Sequence, residues 1–236
     1  MCKSIKYTLL ILCLTVHSMP AHSQAMWALL FGKKISNPNL SLGIHVGLEM
    51  SNLTNTPGAN ILPGIALGAY TNLKFSNKWS LSNYFIFKSS RGAASVPLAY
   101  QIQPNVPDAE NSNLRRKLTY IEISPLPRYN FTPELSFALG PQFAVRVVSK
   151  DIYKSTLPDG GQETLTYNLK SSYNWLDVDA AADIQYAFYK GNGIRLNLRF
   201  SQGLTNIYND KVPFNAKNQY LQIGVGIPIS TGASKK

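Results

Sequence analysis

Few residues of this chain are of a kind that does chemistry. Its two cysteines, Cys2 and Cys13, and two of its three histidines, His17 and His22, fall before Gln24, which leaves His45 as the one histidine beyond that point. A catalytic triad through His45 needs a nucleophile and an orienting acid, and no motif around it supplies them. Asp177, Asp179 and Asp183 share one side of an extended segment. Carboxylates so spaced offer hard oxygen ligands to a cation, while Arg146, Arg195 and Arg199 offer them ion pairs instead. The expectation is therefore no catalytic residue, no cofactor and no metal, and the interest moves to the elements that carry these side chains.

Those elements are strands. In Leu40 to Met50, LSLGIHVGLEM, every even position is large and apolar, and the odd positions hold Ser41, Gly43, His45, Gly47 and Glu49. The same period of two recurs in seven further segments, which run through Ile65 to Phe75, Trp79 to Lys88, Tyr120 to Tyr129, Leu135 to Val147, Leu176 to Phe188, Ile194 to Leu204 and Leu221 to Ile229. Tight turns at Asn77-Lys78, Asn130 to Pro133 and Lys190 to Asn192 alternate with long connections at 52–62, 89–116, 150–173 and 206–216. Short turns at one end and long loops at the other are the plan of an all-β, eight-stranded antiparallel up-and-down transmembrane β-barrel. Within the second long loop, Thr156 to Thr164 around Asp159-Gly160-Gly161 reads as a hairpin tip that projects past the sheet.

The apolar faces carry about three times the roughly dozen inward side chains that fill an eight-stranded interior, so they must point outward. None of them bears a charge, and charged residues make up only 15% of the chain, against about 25% in soluble domains. Lipid is the solvent that suits such a surface. Segments of about eleven residues, tilted by about 40°, also span roughly the hydrocarbon thickness. The polar faces then line the lumen as a charge network of His45, Glu49, Lys74, Lys88, Glu122, Arg128, Arg146, Asp177, Asp179, Asp183, Arg195 and Arg199. Five acids against six bases suit pairing in a packed interior better than a single-sign channel. Trp79, Tyr129, Phe131, Tyr186 and Tyr189 near the tight turns, and Tyr173, Trp175, Tyr208 and Tyr220 near the long loops, read as two aromatic girdles.

The first residues set the address. Lys3 and Lys6 precede the apolar run Tyr7 to Val16, and Ala21-His22-Ser23 offers a cleavage site before Gln24. A membrane anchor needs about twenty apolar residues, and His17, Ser18 and Pro20 interrupt this run. A lipid-modified Cys13 would want a small residue where Leu12 stands. The domain plan is 1–23 signal peptide, 24–38 leader with Met26 to Phe31 as a short interfacial helix or plug, 39–230 barrel and 231–236 tail. Removing Lys3 and Lys6 with the signal peptide lowers the formal charge from +11 to +9. That charge is dispersed, so nucleic acid is not an expected partner of an exported chain.

In its residues the chain resembles the PorT-like outer-membrane β-barrel family of Bacteroidetes, often labelled porin family proteins. The resemblance runs from about Leu30 to Ile229 through FGKK at Phe31 to Lys34, LGIHVGLEMSNL in the first strand and LTYIEISPLPRYNF at Leu118 to Phe131. It continues through LGPQF at Leu139 to Phe143, GLTNIY at Gly203 to Tyr208 and IGVGIPI at Ile223 to Ile229. The chain departs from many outer-membrane barrels in ending STGASKK, without a terminal aromatic residue. The resemblance implies a place in the cell outer membrane and, for some relatives, a part in protein secretion.

The expected role is structural or interactive and non-enzymatic. The partners expected are outer-membrane lipid and, through loops 89–116 and 150–173, envelope or secretion proteins, with the barrel itself monomeric. The competing readings are a narrow channel for small solutes and a soluble periplasmic ligand-binding β-barrel.

Overall fold

The computed structural model describes residues 39–103, 106, 112–156 and 160–230; the expected signal peptide, the leader to residue 38 and the tail from 231 lie outside them. Nine strands follow one another: β1 (Leu40–Leu53), β2 (Leu62–Lys74), β3 (Trp79–Ala93), β4 (Ser112–Asn130), β5 (Leu135–Thr156), β6 (Gln162–Asn168), β7 (Leu176–Ala187), β8 (Arg195–Gly203) and β9 (Asn218–Ser230). Eight close a ring in which each pairs antiparallel with the next, β4 meeting β5, β5 skipping to β7, and β9 returning to β1. The ninth, β6, pairs with β5 alone above the ring. It is one arm of the hairpin foreseen in the second long loop, and the tip at 157–159 lies outside the described residues.

Each tight turn closes by local hydrogen bonding. The Ser76 hydroxyl accepts the N–H groups of Lys78 and Trp79 between β2 and β3, and the Thr132 hydroxyl accepts those of Glu134 and Leu135 between β4 and β5. Between β7 and β8 the chain reverses through Tyr189 and Lys190, both left-handed at φ 51° and 53°.

The alternation sorts side chains as lipid requires. On β1, Ile44, Val46, Leu48 and Met50 are exposed while His45, Gly47 and Glu49 are buried. Ile223, Val225, Ile227 and Ile229 repeat the pattern on β9. Around the tight-turn rim, Trp79 stacks edge-on against Tyr129, Tyr129 against Phe131, and Tyr186 against Phe188, at centroid distances of 5.1, 5.2 and 5.1 Å. The other girdle differs from expectation. Of its four residues only Trp175 is exposed; Tyr173 and Tyr208 are buried because the long loops fold over the ring, and Tyr220 because it stands in the inward phase of β9.

Two bulges shift the pattern halfway up the wall. Phe87 and Lys88 together face Ile121 alone, and beyond them Ser89 and Arg91 point inward. On β5 the register slips beside Val147, so Ser149, Asp151 and Tyr153 are buried while Lys150 and Lys154 are exposed. The loops expected at 89–116 and 150–173 are therefore partly strand, with β3 running to Ala93, β4 starting at Ser112 and β5 reaching Thr156.

Above the ring an apolar cap gathers Leu53, Val96, Leu114, Leu118, Tyr153, Leu169, Tyr173, Ile207, Tyr208 and Val212. It joins the ends of the strands to the connections between them, so the described parts of the outer loops form one packed crown.

Candidate functional site

The lumen holds six buried carboxylates, Glu49, Glu122, Asp151, Asp177, Asp179 and Asp183, and six buried guanidiniums, Arg91, Arg116, Arg128, Arg146, Arg195 and Arg199. Charges taken out of water at this density persist only when paired or fully hydrogen-bonded. Their arrangement falls into three tiers.

At the tight-turn end Asp183 receives Arg128, the Nε of Arg199 at 3.2 Å and the Asn197 amide at 2.9 Å. Arg128 also donates to the hydroxyls of Ser82 at 2.8 Å and Ser136 at 3.0 Å. Arg199 lies 4.0 Å over the Tyr84 ring.

Midway, Arg91 donates to Glu122, to Asp179 at 2.9 Å and to the Ser89 hydroxyl at 3.0 Å, with Asp177 3.8 Å away. Its guanidinium also lies against Tyr220 and Tyr120, at 4.5 and 5.0 Å. Glu49 accepts the Ser89 hydroxyl at 2.9 Å and the Ser90 N–H at 2.8 Å. Gly224 makes room here, since a Cβ on it would stand 2.5 Å from the His45 ring.

Under the crown, Arg116 grips Asp151 through two parallel bonds of 2.9 and 2.6 Å, and it reaches the Tyr208 hydroxyl at 2.6 Å and the Tyr100 carbonyl at 3.1 Å. One side chain on β4 thus ties the β3–β4 and β8–β9 connections to the wall. Arg146 does similar work between β5 and β7, donating to the carbonyls of Asn174, Lys170 and Tyr173 at 3.0, 3.1 and 3.3 Å.

Of the twelve side chains named from the sequence as lumen residues, ten are buried in it: His45, Glu49, Glu122, Arg128, Arg146, Asp177, Asp179, Asp183, Arg195 and Arg199. Lys74 and Lys88 are exposed, which corrects that expectation. Lys74 has the inward phase but ends β2, where the wall stops; Lys88 is turned outward by its bulge. Arg91, Arg116 and Asp151 replace them, and sequence reasoning missed all three by assigning them to loops. A continued count of even positions up β4 from Tyr120 reaches Arg116; no such count reaches Arg91 across the bulge.

The aspartates do not gather on a cation. Asp183 binds arginines, Asp179 binds Arg91 and Gln142, and Asp177 accepts from Thr205 and Asn218; no metal-binding cluster occurs among the described residues. Of the three arginines expected to pair with them only Arg199 does so, because Arg146 is taken by carbonyls and Arg195 donates to the Ser41 hydroxyl at 2.8 Å while stacking 4.8 Å from Tyr70. His45 meets the Gln222 amide oxygen at 3.1 Å and the edge of Tyr84. Outside the membrane-spanning strands, burial pushes the Tyr208 hydroxyl above its ordinary range, with Arg116 pulling it back. It stays protonated and can stay bonded.

At the opposite mouth a cavity of about 470 Å³ is lined by Lys74, Lys78, Lys190, Arg195 and Glu134, among others. Ser136 and Gln185 also line it, and Ser136 accepts from Arg128, which is 1% exposed.

A closed ring with charge inside, a continuous apolar belt outside and short turns at one end defines a transmembrane β-barrel of the outer-membrane type. The belt removes the soluble periplasmic reading. Residues 33–209 match the family model described as "Outer membrane protein beta-barrel domain", and the chain belongs to that family and to the outer membrane. Among solved structures, Ail of Yersinia pestis matches at 12% identity, covering 80% of this chain and 99% of its own, with a TM-score of 0.42. Neisserial surface protein A matches at 12% identity over 80% of this chain and 96% of its own, TM-score 0.39. The outer membrane protein OprG of Pseudomonas aeruginosa matches at 9% over 80% and 92%, TM-score 0.31. No curated protein matches.

Proposed function

We propose that this chain is an occluded, monomeric and non-enzymatic barrel of PorT-like type that serves as a rigid outer-membrane platform. In this reading its crown docks envelope or secretion proteins through the segments 89–116 and 150–173. The observation that carries it is the midplane tier: Arg91, Glu122, Asp179, Gln142 and Tyr220 are all 1% exposed or less and bonded across the lumen. A lumen so filled uses its charges internally, and loops on a stiff scaffold are then the surface left for recognition.

Extraction of tagged chain from outer membranes in gentle detergent, sized on a native gel, tests the role. A defined large assembly that is lost when 157–164 is replaced by a short turn supports docking, and a lone species of barrel size refutes it. The channel reading is tested in planar bilayers, where unitary conductance steps would show that the lumen charges move aside.

A further inference from the structure

The outer face of the β3–β4–β5 wall carries five exposed cations. Lys88 sits on β3, Arg115 and Lys117 on β4, and Lys150 and Lys154 on β5. They form one patch. Lys117 stands directly opposite Lys150 in the β4–β5 register, Arg115 opposite Ile152, and Lys154 opposite Asn113, while Lys88 shares its bulge with Phe87 beside Ile121.

Like charges directly opposite one another on a sheet oppose folding. No carboxylate among the described residues lies within ion-pairing distance of any of the five. The neighbouring outward residues of β6, Gln162, Thr164, Thr166 and Asn168, are neutral. The strand ends on the rest of the rim, at Asn52, Pro63, Leu204 and Gln219, carry no charge either. Among the described residues the patch has no counter-charge in ion-pairing reach.

Its height is set by the lipid belt. Val147 and Trp175 are exposed at the upper edge of the belt, and the Arg146 N–H bonds the Trp175 carbonyl, which puts them level. Lys150 follows three residues after Val147, a rise of about 10 Å along the strand and roughly 7 Å along the membrane normal at ordinary tilt. That is the headgroup layer. Lys88 lies lower, on the lipid side of the wall, where a lysine reaches a headgroup by extending its stem upward along apolar surface.

We propose that this face binds the phosphates of a phosphorylated outer-leaflet lipid, with Lys117, Lys150 and Arg115 around one phosphate and Lys88 reaching the leaflet from below. Charge complementarity and continuity with the lipid belt select this occupant over a soluble one. The site is separate from the crown, so it stands whether or not the loops dock a protein.

The test is binding of bisphosphorylated lipid A to the full chain in phosphatidylcholine nanodiscs, followed by native mass spectrometry. Wild type should retain the phosphorylated lipid over phosphatidylcholine. The Arg115→Gln/Lys117→Gln/Lys150→Gln variant should lose about a hundred-fold in affinity, taking roughly a fivefold loss for each of the three cations near a charged surface. Lys170→Gln/Lys211→Gln, on exposed loop lysines, should bind as wild type does. Lys88→Met keeps apolar bulk in the wall, reports independently of the triple variant, and should weaken binding severalfold. Equal retention of both lipids by wild type, or a folded triple variant that binds unchanged, would overturn the proposal. So would dextran sulfate binding the patch as tightly as the lipid, since the occupant would then be a soluble polyanion.

Discussion

Replacing Arg91 by methionine isolates what the midplane charges do for the barrel. The guanidinium contacts Glu122, Asp179 at 2.9 Å and Ser89 at 3.0 Å, with Asp177 at 3.8 Å. Glu122 has no other partner for that oxygen, and its second oxygen is unbonded. Asp179 would keep one bond, from the Gln142 amide at 2.8 Å. Removing one member of a buried pair costs about 3–5 kcal/mol, because the survivor stays charged and desolvated. Here two carboxylates lose their partner at once, so about 4 kcal/mol is expected, a drop of roughly a thousandfold in the folding equilibrium. The assay is a reversible urea titration in detergent micelles, followed by the fluorescence of lipid-facing Trp79 and Trp175. Arg91→Met/Glu122→Gln/Asp179→Asn neutralises the stranded acids and should recover most of the loss, within about 1–2 kcal/mol of wild type. A single variant that loses less than about 1 kcal/mol, or a triple variant no more stable than the single one, would refute the account of the lumen as an ion-paired core.

Gly92→Ala should cost about 2 kcal/mol or more in the same titration, since Gly92 has φ +129° and a Cβ there would stand 2.0 Å from the Arg116 carbonyl oxygen. Leu48→Arg, at a site 63% exposed on the lipid face, should cost about 2–4 kcal/mol in lipid vesicles; a variant that inserts without penalty would place that face away from lipid. Arg116→Met should strand Asp151 and release Tyr100 and Tyr208, which hydrogen exchange would show as faster exchange in the two connections of the crown while the mid-wall amides of β1 and β9 stay protected.

The parts of the fold legible in the sequence are those where one strict period governs. LSLGIHVGLEM separates its two faces without exception, and β8 and β9 do the same, so ring size, tight turns and the direction of each face followed from alternation. The period fails at Phe87-Lys88 and beside Val147 because a bulge leaves every local preference intact while moving each later side chain to the other face. Lys88 consequently looks inward in the sequence and stands outward in the wall, and Arg91 looks like loop and stands at the centre of the lumen. Tyr220 shares the inward phase of Gln222 on β9 and was open to the same count of alternate positions; Tyr173 and Tyr208 failed differently. An aromatic residue near a strand end suits a membrane interface and a buried cap equally well, and only the tertiary path of the loops selects between them.

Alternation along the wall also bears on the journey of the unfolded chain. In β1, Ile44, Val46, Leu48 and Met50 are spaced by His45, Gly47 and Glu49, and in β8 Leu196, Leu198 and Phe200 are spaced by Asn197 and Arg199. Wound as a helix, any such stretch would set its polar residues among its apolar ones, and no helix among the described residues is long and apolar enough to cross a membrane. Export machinery retains segments by hydrophobicity summed over about twenty residues. These alternating strands therefore offer the inner membrane little of that kind to hold, and their greasiness comes into being only when they pair and the ring shuts.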